Sequence, residues 1–248
     1  MRVLLIIPAY NEQEALGGLL SEIRAQPVPD GVELETVVMD DGSADRTAQV
    51  AAAGGARVLR LCGNLGIGGA VQSGIRLAAR EQFDAAIQID GDGQHPPSEL
   101  VRLIDPARAA GSADLIVGTR YRDKDNFRST ALRRLGSWWL RTLLRVVARI
   151  KISDPTSGYR LYGARALRLF DETYPYDFPE PESLAIARAS GLTVAEVPVQ
   201  MRERQGGTSS ITGFATVYYM FKVTLAVVLT YVRARLRPSR EESDATGG

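Results

Sequence analysis

Two aspartates separated by one glycine are the clearest chemical feature of this sequence. Asp90-Gly91-Asp92 comes directly after a short apolar run at residues 85–89. In an extended segment, residues two positions apart point to the same side, so both carboxylates can face one cation. Hard oxygen ligands at an open site suit Mg²⁺ or Mn²⁺ bound together with substrate phosphates, whereas zinc sites prefer clusters of Cys and His. The alternative is an acidic turn or helix cap ahead of Pro96 and Pro97.

Acidic residues also follow two other apolar runs. Glu12 comes soon after residues 3–7, and Asp40-Asp41 follows residues 34–39. If these runs are neighbouring parallel strands, their carboxylates meet at one edge of the sheet. Such a cluster would repel itself unless a cation compensates its charge. We therefore expect acidic groups from three strand ends to share one divalent ion.

The elements that would position these residues are short strands alternating with helices. Hydrophobic periodicity predicts strands at residues 3–7, 34–39, 57–61, 85–89 and 114–117, and helices at 12–26, 45–53, 67–82 and 98–110. Parallel neighbours need a crossover connection, so this alternation predicts an α/β fold with a mostly parallel sheet covered by helices on both faces. Ligands of such sheets bind beyond the carboxyl ends of the strands.

Composition places the chain among ordinary globular proteins. It has 248 residues, 45% of them apolar, with 30 basic and 29 acidic side chains. Near-neutral charge argues against a dedicated nucleic-acid-binding protein. The single cysteine, Cys62, cannot form an internal disulfide, and the five strongly apolar residues at 3–7 are too few for a signal peptide. We expect a cytoplasmic location.

The turn Gly66-Ile67-Gly68-Gly69 resembles a nucleotide-binding loop only superficially. Val71 stands where the dinucleotide fingerprint needs its third glycine, and the chain has no P-loop Gly-Lys-Ser or Gly-Lys-Thr. We interpret the turn as close helix packing near the ligand. The single histidine, His95, is interpreted as a structural contact beside the Asp90 turn rather than as a proton carrier.

Two segments suggest contact with a membrane. Residues 120–151 contain ten Lys or Arg and two Asp. On a helical wheel, residues 132–151 divide into an apolar side and a basic side. The apolar side comprises Leu132, Leu135, Trp139, Leu143, Val146, Val147 and Ile150; the basic side comprises Arg134, Arg141 and Arg145. This pattern predicts a helix on an anionic membrane surface, the alternative being a core-packed helix with a solvated basic face.

The second segment is an apolar stretch at residues 214–232, interrupted by Lys222 and followed by three arginines. Nineteen residues could just cross a bilayer, but apolar residues recur at spacings of three and four. We favour an amphipathic helix along the membrane over a spanning helix or ordinary packing. The polar residues at 238–248 are expected to form a disordered tail.

Six motifs in order resemble one family: the inverting glycosyltransferases of family 2 with the GT-A fold, in the branch of dolichol-phosphate mannose synthases and bacterial polyprenyl-phosphate glycosyltransferases. The resemblance covers about residues 1–210. The motifs are Pro8-Ala9-Tyr10-Asn11-Glu12, Asp40-Asp41-Gly42-Ser43-Ala44-Asp45-Arg46-Thr47, Asn64-Leu65-Gly66-Ile67-Gly68-Gly69-Ala70, Asp90-Gly91-Asp92-Gly93-Gln94-His95-Pro96-Pro97, Asp154-Pro155-Thr156-Ser157-Gly158-Tyr159-Arg160, and Arg204 with Gly207 and Ser209.

The resemblance implies roles for individual residues on the donor side. It implies a pocket for the nucleoside of a sugar nucleotide, a clamp for the metal and diphosphate, and an arginine near the reacting centre. The pocket would be formed by Pro8, Tyr10, Glu12 and Asp41, the clamp by Asp90, Gly91, Asp92 and Gln94, and the arginine is Arg120. Mg²⁺ or Mn²⁺ is the implied cofactor.

On the acceptor side the resemblance implies a polyprenyl phosphate. Ser157 and Arg160 match acceptor-side positions, and Arg204, Gly207 and Ser209 match a loop that closes over the phosphates. The lysine that often follows this serine is Ser210 here, which departs from the family pattern. Glu180 and Glu182 stand where relatives that use a hydroxyl acceptor carry a base. Two roles are therefore open for them: catalysis, which we assign to Glu182, or capping of the helix.

Of three competing functions, two remain open and one is disfavoured. The first is a family 2 enzyme that elongates a glycan through a hydroxyl, although Trp138 and Trp139 do not form the Gln-x-x-Arg-Trp motif of polymerising synthases. The second is a nucleotidyltransferase, disfavoured because no glycine-rich arginine loop follows the first strand. The third is a non-catalytic nucleotide-binding scaffold on the membrane.

The predicted organisation is a catalytic domain at residues 1–210, a membrane-associated helix at 211–237 and the tail at 238–248. We expect action at the cytoplasmic face of the membrane. A small integral membrane protein is the expected anchoring partner, because relatives in this branch often carry membrane helices after the catalytic domain.

Overall fold

The computed structural model describes residues 1–109, 111–120, 131–202 and 213–236, with side chains omitted at 131–134 and 213–219. The strands are β1 (Arg2–Ala9), β2 (Glu33–Asp40), β3 (Arg57–Arg60), β4 (Ala85–Gln88), β5 (Leu115–Thr119), β6 (Arg160–Gly163) and β7 (Val194–Pro198). The helices are α1 (Leu16–Ala25), α2 (Thr47–Ala53), α3 (Gly66–Arg80), α4 (Leu100–Arg108), α5 (Ala131–Val147), α6 (Ala164–Glu172), α7 (Pro179–Ala189) and α8 (Gly213–Leu236).

The seven strands form one sheet in the order β3-β2-β1-β4-β6-β5-β7. The pairs β1–β2, β1–β4, β2–β3 and β5–β7 are parallel, and β6 is antiparallel to both β4 and β5. The predicted α/β class and mostly parallel sheet are therefore confirmed. Strands β6 and β7 were not predicted, because Arg160 begins β6 and Glu196 and Pro198 interrupt the apolar pattern of β7.

Both faces of the sheet are covered, as expected for buried parallel strands. Side chains alternate along β1, so Leu4 and Ile6 point into one apolar core and Val3, Leu5 and Ile7 into the other. Helices α3, α5, α6, α7 and α8 contribute to the first core, and α1, α2 and α4 to the second. At the carboxyl ends of the parallel strands, the chain continues into loops.

The structure gives residues 132–151 a buried face that the wheel did not assign. Leu140, Leu144 and Ala148 form the buried face of this segment, whereas Leu135, Trp139 and Val146, which the wheel placed on the predicted apolar side, are exposed. Helix α5 ends at Val147, and Arg149 has a positive φ of 55°. The segment thus has two apolar faces, of which only one packs into the protein.

Helix α8 is longer than the predicted segment at residues 214–232. Val223 and Val227 are buried in the first core, and its outer side is exposed. Within the described residues, none of the helices combines the length and apolar character needed to cross a bilayer. The division into a catalytic domain at 1–210 and a membrane helix at 211–237 stays a prediction.

Candidate active site

The end of β4 forms a tight turn that carries both aspartates of the predicted metal site. A Cβ added to Gly91 would lie 3.0 Å from the carbonyl oxygen of Pro8, so glycine permits the approach of this turn to β1. His95 is buried, accepts the backbone N–H of Asp90 at Nδ1 over 3.0 Å, and stacks on Tyr159 with ring centroids 4.9 Å apart. His95 therefore braces the turn, as the structural interpretation expects.

Asp92 and Gln94 lie together in the same turn. Oδ1 of Asp92 accepts the backbone N–H of Gln94 at 3.0 Å, and the Gln94 side-chain amide donates to Oδ2. Two carboxylates and an amide oxygen fit a hard divalent cation such as Mg²⁺ or Mn²⁺. The residue types present are thus compatible with the predicted cofactor, and the assignment of Asp90, Asp92 and Gln94 as its ligands stays a prediction.

The expectation that three acidic strand ends share one ion is wrong. In the described ranges, no group of three or more His, Cys, Asp or Glu side chains is arranged to hold a metal. Asp40 is fully buried and its Oδ1 accepts the N–H of Ser43 at 2.9 Å, while Oδ2 lies 3.4 Å from Nε of Arg60. A metal at Asp90 and Asp92 would need its other ligands from substrate phosphates and water, as is common for Mg²⁺.

Asp41 has a structural task that the sequence did not reveal. Its two carboxylate oxygens accept the backbone N–H groups of Leu65 and Gly66 at 2.7 and 2.8 Å. These are the first N–H groups of α3, so Asp41 caps that helix from the end of β2 and offsets its positive end. The predicted contact of Asp41 with a nucleoside stays a prediction.

The loop after β1 is attached to the loop after β2. Asn11, with φ of 56°, donates its N–H to Oγ of Ser43 at 3.0 Å, and Glu12 donates its N–H to Oγ1 of Thr47 at 2.9 Å. Pro8 is buried, whereas Tyr10 is exposed beside this junction. Of the four residues predicted to form the nucleoside pocket, Tyr10 thus offers an accessible surface, whereas Pro8 and Asp41 are buried.

Gly68 supports the packing interpretation of the glycine-rich turn. A Cβ at this position would lie 2.7 Å from the carbonyl oxygen of Pro175 and 2.8 Å from that of Tyr176. The backbone of α3 therefore approaches the segment before α7 more closely than any side chain would allow.

Arg120 is held by an ion pair that the sequence did not reveal. Its Nε and Nη2 donate to the two carboxylate oxygens of Asp154 at 2.8 and 3.1 Å, and Nη2 also donates to Oγ1 of Thr156 at 3.3 Å. Asp154 is fully buried. Its own N–H donates to Glu196 on β7, as do the N–H and hydroxyl of Ser153. This planar two-point contact fixes the direction of the guanidinium.

The loop that carries Asp154 also lies against Asp90. A Cβ on Gly158 would lie 3.1 and 3.3 Å from the two carboxylate oxygens of Asp90. Residues 154–158 therefore join the predicted metal turn to Arg120. Asp154 and Gly158 belong to a motif noted in the sequence, but Glu196 gave no signal, because its partners come from a distant part of the chain.

Ser157 and Arg160, predicted to contact the acceptor, are buried. The Arg160 guanidinium donates to the carbonyl oxygens of Ser157 and Pro155 and to Oγ of Ser183 on α7. It supports the 154–158 loop from below and has no exposed surface. This placement favours a positioning role over direct contact with an acceptor. Arg204, Gly207 and Ser209 lie outside the described residues.

Glu182 and Glu180 differ in their surroundings. Glu182 accepts the N–H of Phe178 at 3.1 Å and the hydroxyl of Thr230 on α8 at 2.7 Å. It therefore caps α7 and ties that helix to α8. Burial raises the pKa of Glu180; Arg160 lowers it, and the charge of Asp90 raises it. Burial raises the pKa of Glu182 as well, so the two glutamates differ in their hydrogen-bond partners rather than in the direction of this shift.

The seven-stranded, mostly parallel sheet, with a carboxylate turn after β4 and Arg120 held beside it, agrees with the GT-A fold that the motifs predict. The family model described as Glycosyl transferase family 2 matches residues 4–170. The chain belongs to this family, as the motifs indicated.

Two relatives are similar to almost the whole chain. An undecaprenyl-phosphate mannosyltransferase from Micrococcus luteus is 34% identical, covering 95% of this chain and 99% of its own length. A polyprenol monophosphomannose synthase from Mycolicibacterium smegmatis is 33% identical over 90% of this chain and 85% of its own.

Solved structures support the fold. Glucosyl-3-phosphoglycerate synthase from Mycobacterium tuberculosis, crystallised with Mn²⁺, UDP and glucosyl-3-phosphoglycerate, aligns with a TM-score of 0.68 at 21% identity. The alignment covers 96% of this chain and 81% of that one.

Proposed function

We propose that this protein transfers a sugar from a nucleoside diphosphate to a polyprenyl phosphate, with inversion at the anomeric carbon and with Mg²⁺ or Mn²⁺ as cofactor. The observation that carries the proposal is the junction at residues 154–158. This loop packs Gly158 on the Asp90 carboxylate and holds Arg120 through Asp154. This junction supports the proposal, because a predicted metal turn and the oriented Arg120 guanidinium beside it would together neutralise a diphosphate leaving group. The names of the M. luteus and M. smegmatis relatives support the acceptor class.

The reaction consists of one displacement. An oxygen of the acceptor phosphate forms a bond to the anomeric carbon, and the bond from that carbon to the diphosphate oxygen breaks with its electron pair leaving on the diphosphate. Asp90, Asp92 and Gln94 would hold the divalent ion, which supplies charge neutralisation for the diphosphate when bound. Arg120, oriented by Asp154, would stabilise the negative charge that develops on the diphosphate. Tyr10 offers an accessible ring beside the loops assigned to the nucleoside.

A phosphate acceptor needs no general base. A phosphate monoester has its second pKa at about 6 and is largely ionised at neutral pH. This suits a site in which Glu182, the predicted base, already accepts hydrogen bonds from α7 and α8.

The alternative is transfer to a hydroxyl, and Glu180 is the observation that favours it. Burial raises the pKa of both Glu180 and Glu182, as suits a general base, but Glu182 already accepts hydrogen bonds from Phe178 and Thr230. In that case Glu180→Gln should abolish turnover and leave donor binding intact. With a polyprenyl phosphate acceptor, the same variant should retain most of its turnover.

The test offers the purified protein a panel of sugar nucleotides with short-chain polyprenyl phosphate and Mn²⁺. Nucleoside diphosphate mannose donors lead the panel because both relatives are named for mannosyl transfer. We expect a lipid-linked sugar of inverted configuration, detected by mass spectrometry and NMR, and its loss in Asp92→Asn. Transfer only to glycan hydroxyls would contradict the proposal. Donor binding without metal-dependent release of nucleoside diphosphate would indicate the non-catalytic scaffold instead.

A further inference from the structure

Strand β7 places one carboxylate against the loop that holds Arg120. Oε1 of Glu196 accepts three hydrogen bonds from two consecutive residues: the N–H and the hydroxyl of Ser153, both at 2.8 Å, and the N–H of Asp154 at 3.1 Å. Glu196 is half-buried and is the charged residue of β7. Hydrogen bonds to an ionised group are stronger than those between neutral groups, so this contact attaches the loop firmly to the sheet.

The two residues held by Glu196 contact the two residues at the end of β5. Oγ of Ser153 lies 2.8 Å from Oγ1 of Thr119, and the Asp154 carboxylate accepts the Arg120 guanidinium at 2.8 and 3.1 Å. Glu196 thus fixes which residue of the loop stands opposite Arg120. A shift of the loop by one position would remove the carboxylate from that place, and with it the two-point contact.

The chain that leaves β7 is attached separately to the predicted metal turn. Six residues after Glu196, the N–H of Arg202 donates to the carbonyl oxygen of Gln94 at 2.9 Å. The metal turn therefore has its own contact with this segment. A change at Glu196 is expected to release Arg120 and to leave the turn in place.

We propose that Glu196 is a positioning residue for catalysis. It sets the register of residues 153–154, and through Asp154 it orients the Arg120 guanidinium toward the diphosphate leaving group. The inference rests on the proposed function, which gives Arg120 its task at that group. A glutamate that only stabilised the fold would alter Tm without separating kcat from KM.

The kinetic test compares Glu196→Ala and Glu196→Gln with the wild type in transfer to short-chain polyprenyl phosphate with Mn²⁺. Since a misplacement of about 1 Å can cost about 100-fold, we expect Glu196→Ala to lower kcat about 10–100-fold and to change the KM for the sugar nucleotide less than about threefold. Glu196→Gln keeps an acceptor oxygen for the loop and should recover most of the kcat. The matched control is Glu33→Ala, an exposed glutamate at the start of β2, which should change neither quantity.

A double variant tests whether Glu196 acts through Asp154. Glu196→Ala/Asp154→Asn should be about as slow as Asp154→Asn alone, because the carboxylate that Glu196 positions is already gone. Metal-dependent binding of the sugar nucleotide to Glu196→Ala, measured by calorimetry, should equal that of the wild type and verifies that the variant is folded. Ser153→Ala removes one of the three hydrogen bonds and decides the question should Glu196→Ala fail to fold: its kcat should fall and its KM should not.

Four results would overturn the inference. They are effects that multiply in the double variant, a Glu196→Ala enzyme with normal kcat, equal losses in the alanine and glutamine variants, and a loss of donor binding as large as the loss of kcat.

An NMR measurement separates this inference from the proposed function. The Nε–H of Arg120 donates to Oδ2 of Asp154 at 2.8 Å, and its signal is identified by its loss in Arg120→Lys. This N–H should exchange with solvent slowly in the wild type and at least about tenfold faster in Glu196→Ala. The measurement needs neither donor nor acceptor. A wild type that transfers no sugar to polyprenyl phosphate would reject the proposed function, whereas exchange that Glu196→Ala leaves unchanged would reject the positioning role.

Discussion

The ion pair between Arg120 and Asp154 makes a sharp prediction for Asp154→Asn. The substitution keeps the shape of the side chain but removes the charge that receives two hydrogen bonds from the Arg120 guanidinium, at 2.8 and 3.1 Å. Hydrogen bonds to charged groups contribute about 1.5–3 kcal/mol each, and asparagine retains one acceptor oxygen. Since the Arg120 side chain is 20% exposed, water can replace part of the loss. We expect a loss of about 2 kcal/mol in unfolding free energy, or roughly 4–8 °C in Tm.

Asp154→Asn should reduce kcat by more than its loss of unfolding free energy suggests. Asp154 does not itself face the leaving group; it fixes Arg120, and removal of one oriented donor to developing charge costs about 10²–10³ in kcat. The KM for the sugar nucleotide should change much less than kcat. Asp105→Asn, an exposed carboxylate on α4, is the matched control and should change neither quantity.

A double-mutant cycle with Arg120→Gln tests the assignment. If Asp154 acts through Arg120, the double variant should be about as slow as Arg120→Gln alone, because the second substitution removes nothing further. Effects that simply multiply, or an Asp154→Asn enzyme with normal kcat, would refute the reasoning.

Three other substitutions test the site and its support. Gly158→Ala should weaken metal-dependent donor binding by about tenfold in calorimetry, because its Cβ would lie 3.1 Å from an oxygen of Asp90; unchanged binding would exclude this crowding. Gly68→Ala should lower the unfolding free energy by about 1–3 kcal/mol. The control, Gly18→Ala in α1, has open space around it and should not lower it. Denaturant titration compares the two variants. Burial raises the pKa of Glu180, so its protonated form stabilises the fold at acidic pH and that stabilisation is lost as the pH rises through the raised pKa. Glu180→Gln should therefore gain Tm relative to wild type as the pH increases from about 4 to 8 in EDTA; a constant difference would contradict the shift.

The sequence predicts the core of the fold because that part depends on local pattern. Strand β1 contains the apolar run at residues 3–7, β2 the run at 37–39 and β4 the run at 85–87, and the acidic turn at Asp90 follows soon after β4. β6 escapes prediction since it begins with Arg160, an arginine that is buried only because Ser157, Pro155 and Ser183 accept its hydrogen bonds. No local pattern can indicate such a compensation.

In the candidate site, too, local sequence patterns are predictable and contacts with distant residues are not. The turn with Asp90 and Asp92 is predictable because its residues are contiguous. The roles of Asp41 as a helix cap and of Glu196 as an anchor for Asp154 depend on partners 24 or more positions away. Repulsion among acidic groups suggested a shared cation. Instead, backbone N–H groups donate to Asp41, whereas Asp40 accepts the N–H of Ser43 and lies beside the Arg60 guanidinium.

The reversed direction of β6 gives the rim of the sheet two independent supports. A strand that runs against its neighbours begins where they end, so the chain entering β6 arrives at the edge that β4 leaves. A parallel strand in this position would have delivered residues 154–158 to the opposite edge. Loops leaving β1 and β2 thus build one half of the rim, while a loop arriving at β6 builds the other. Evolution can remodel either half without altering the strand register beneath its counterpart.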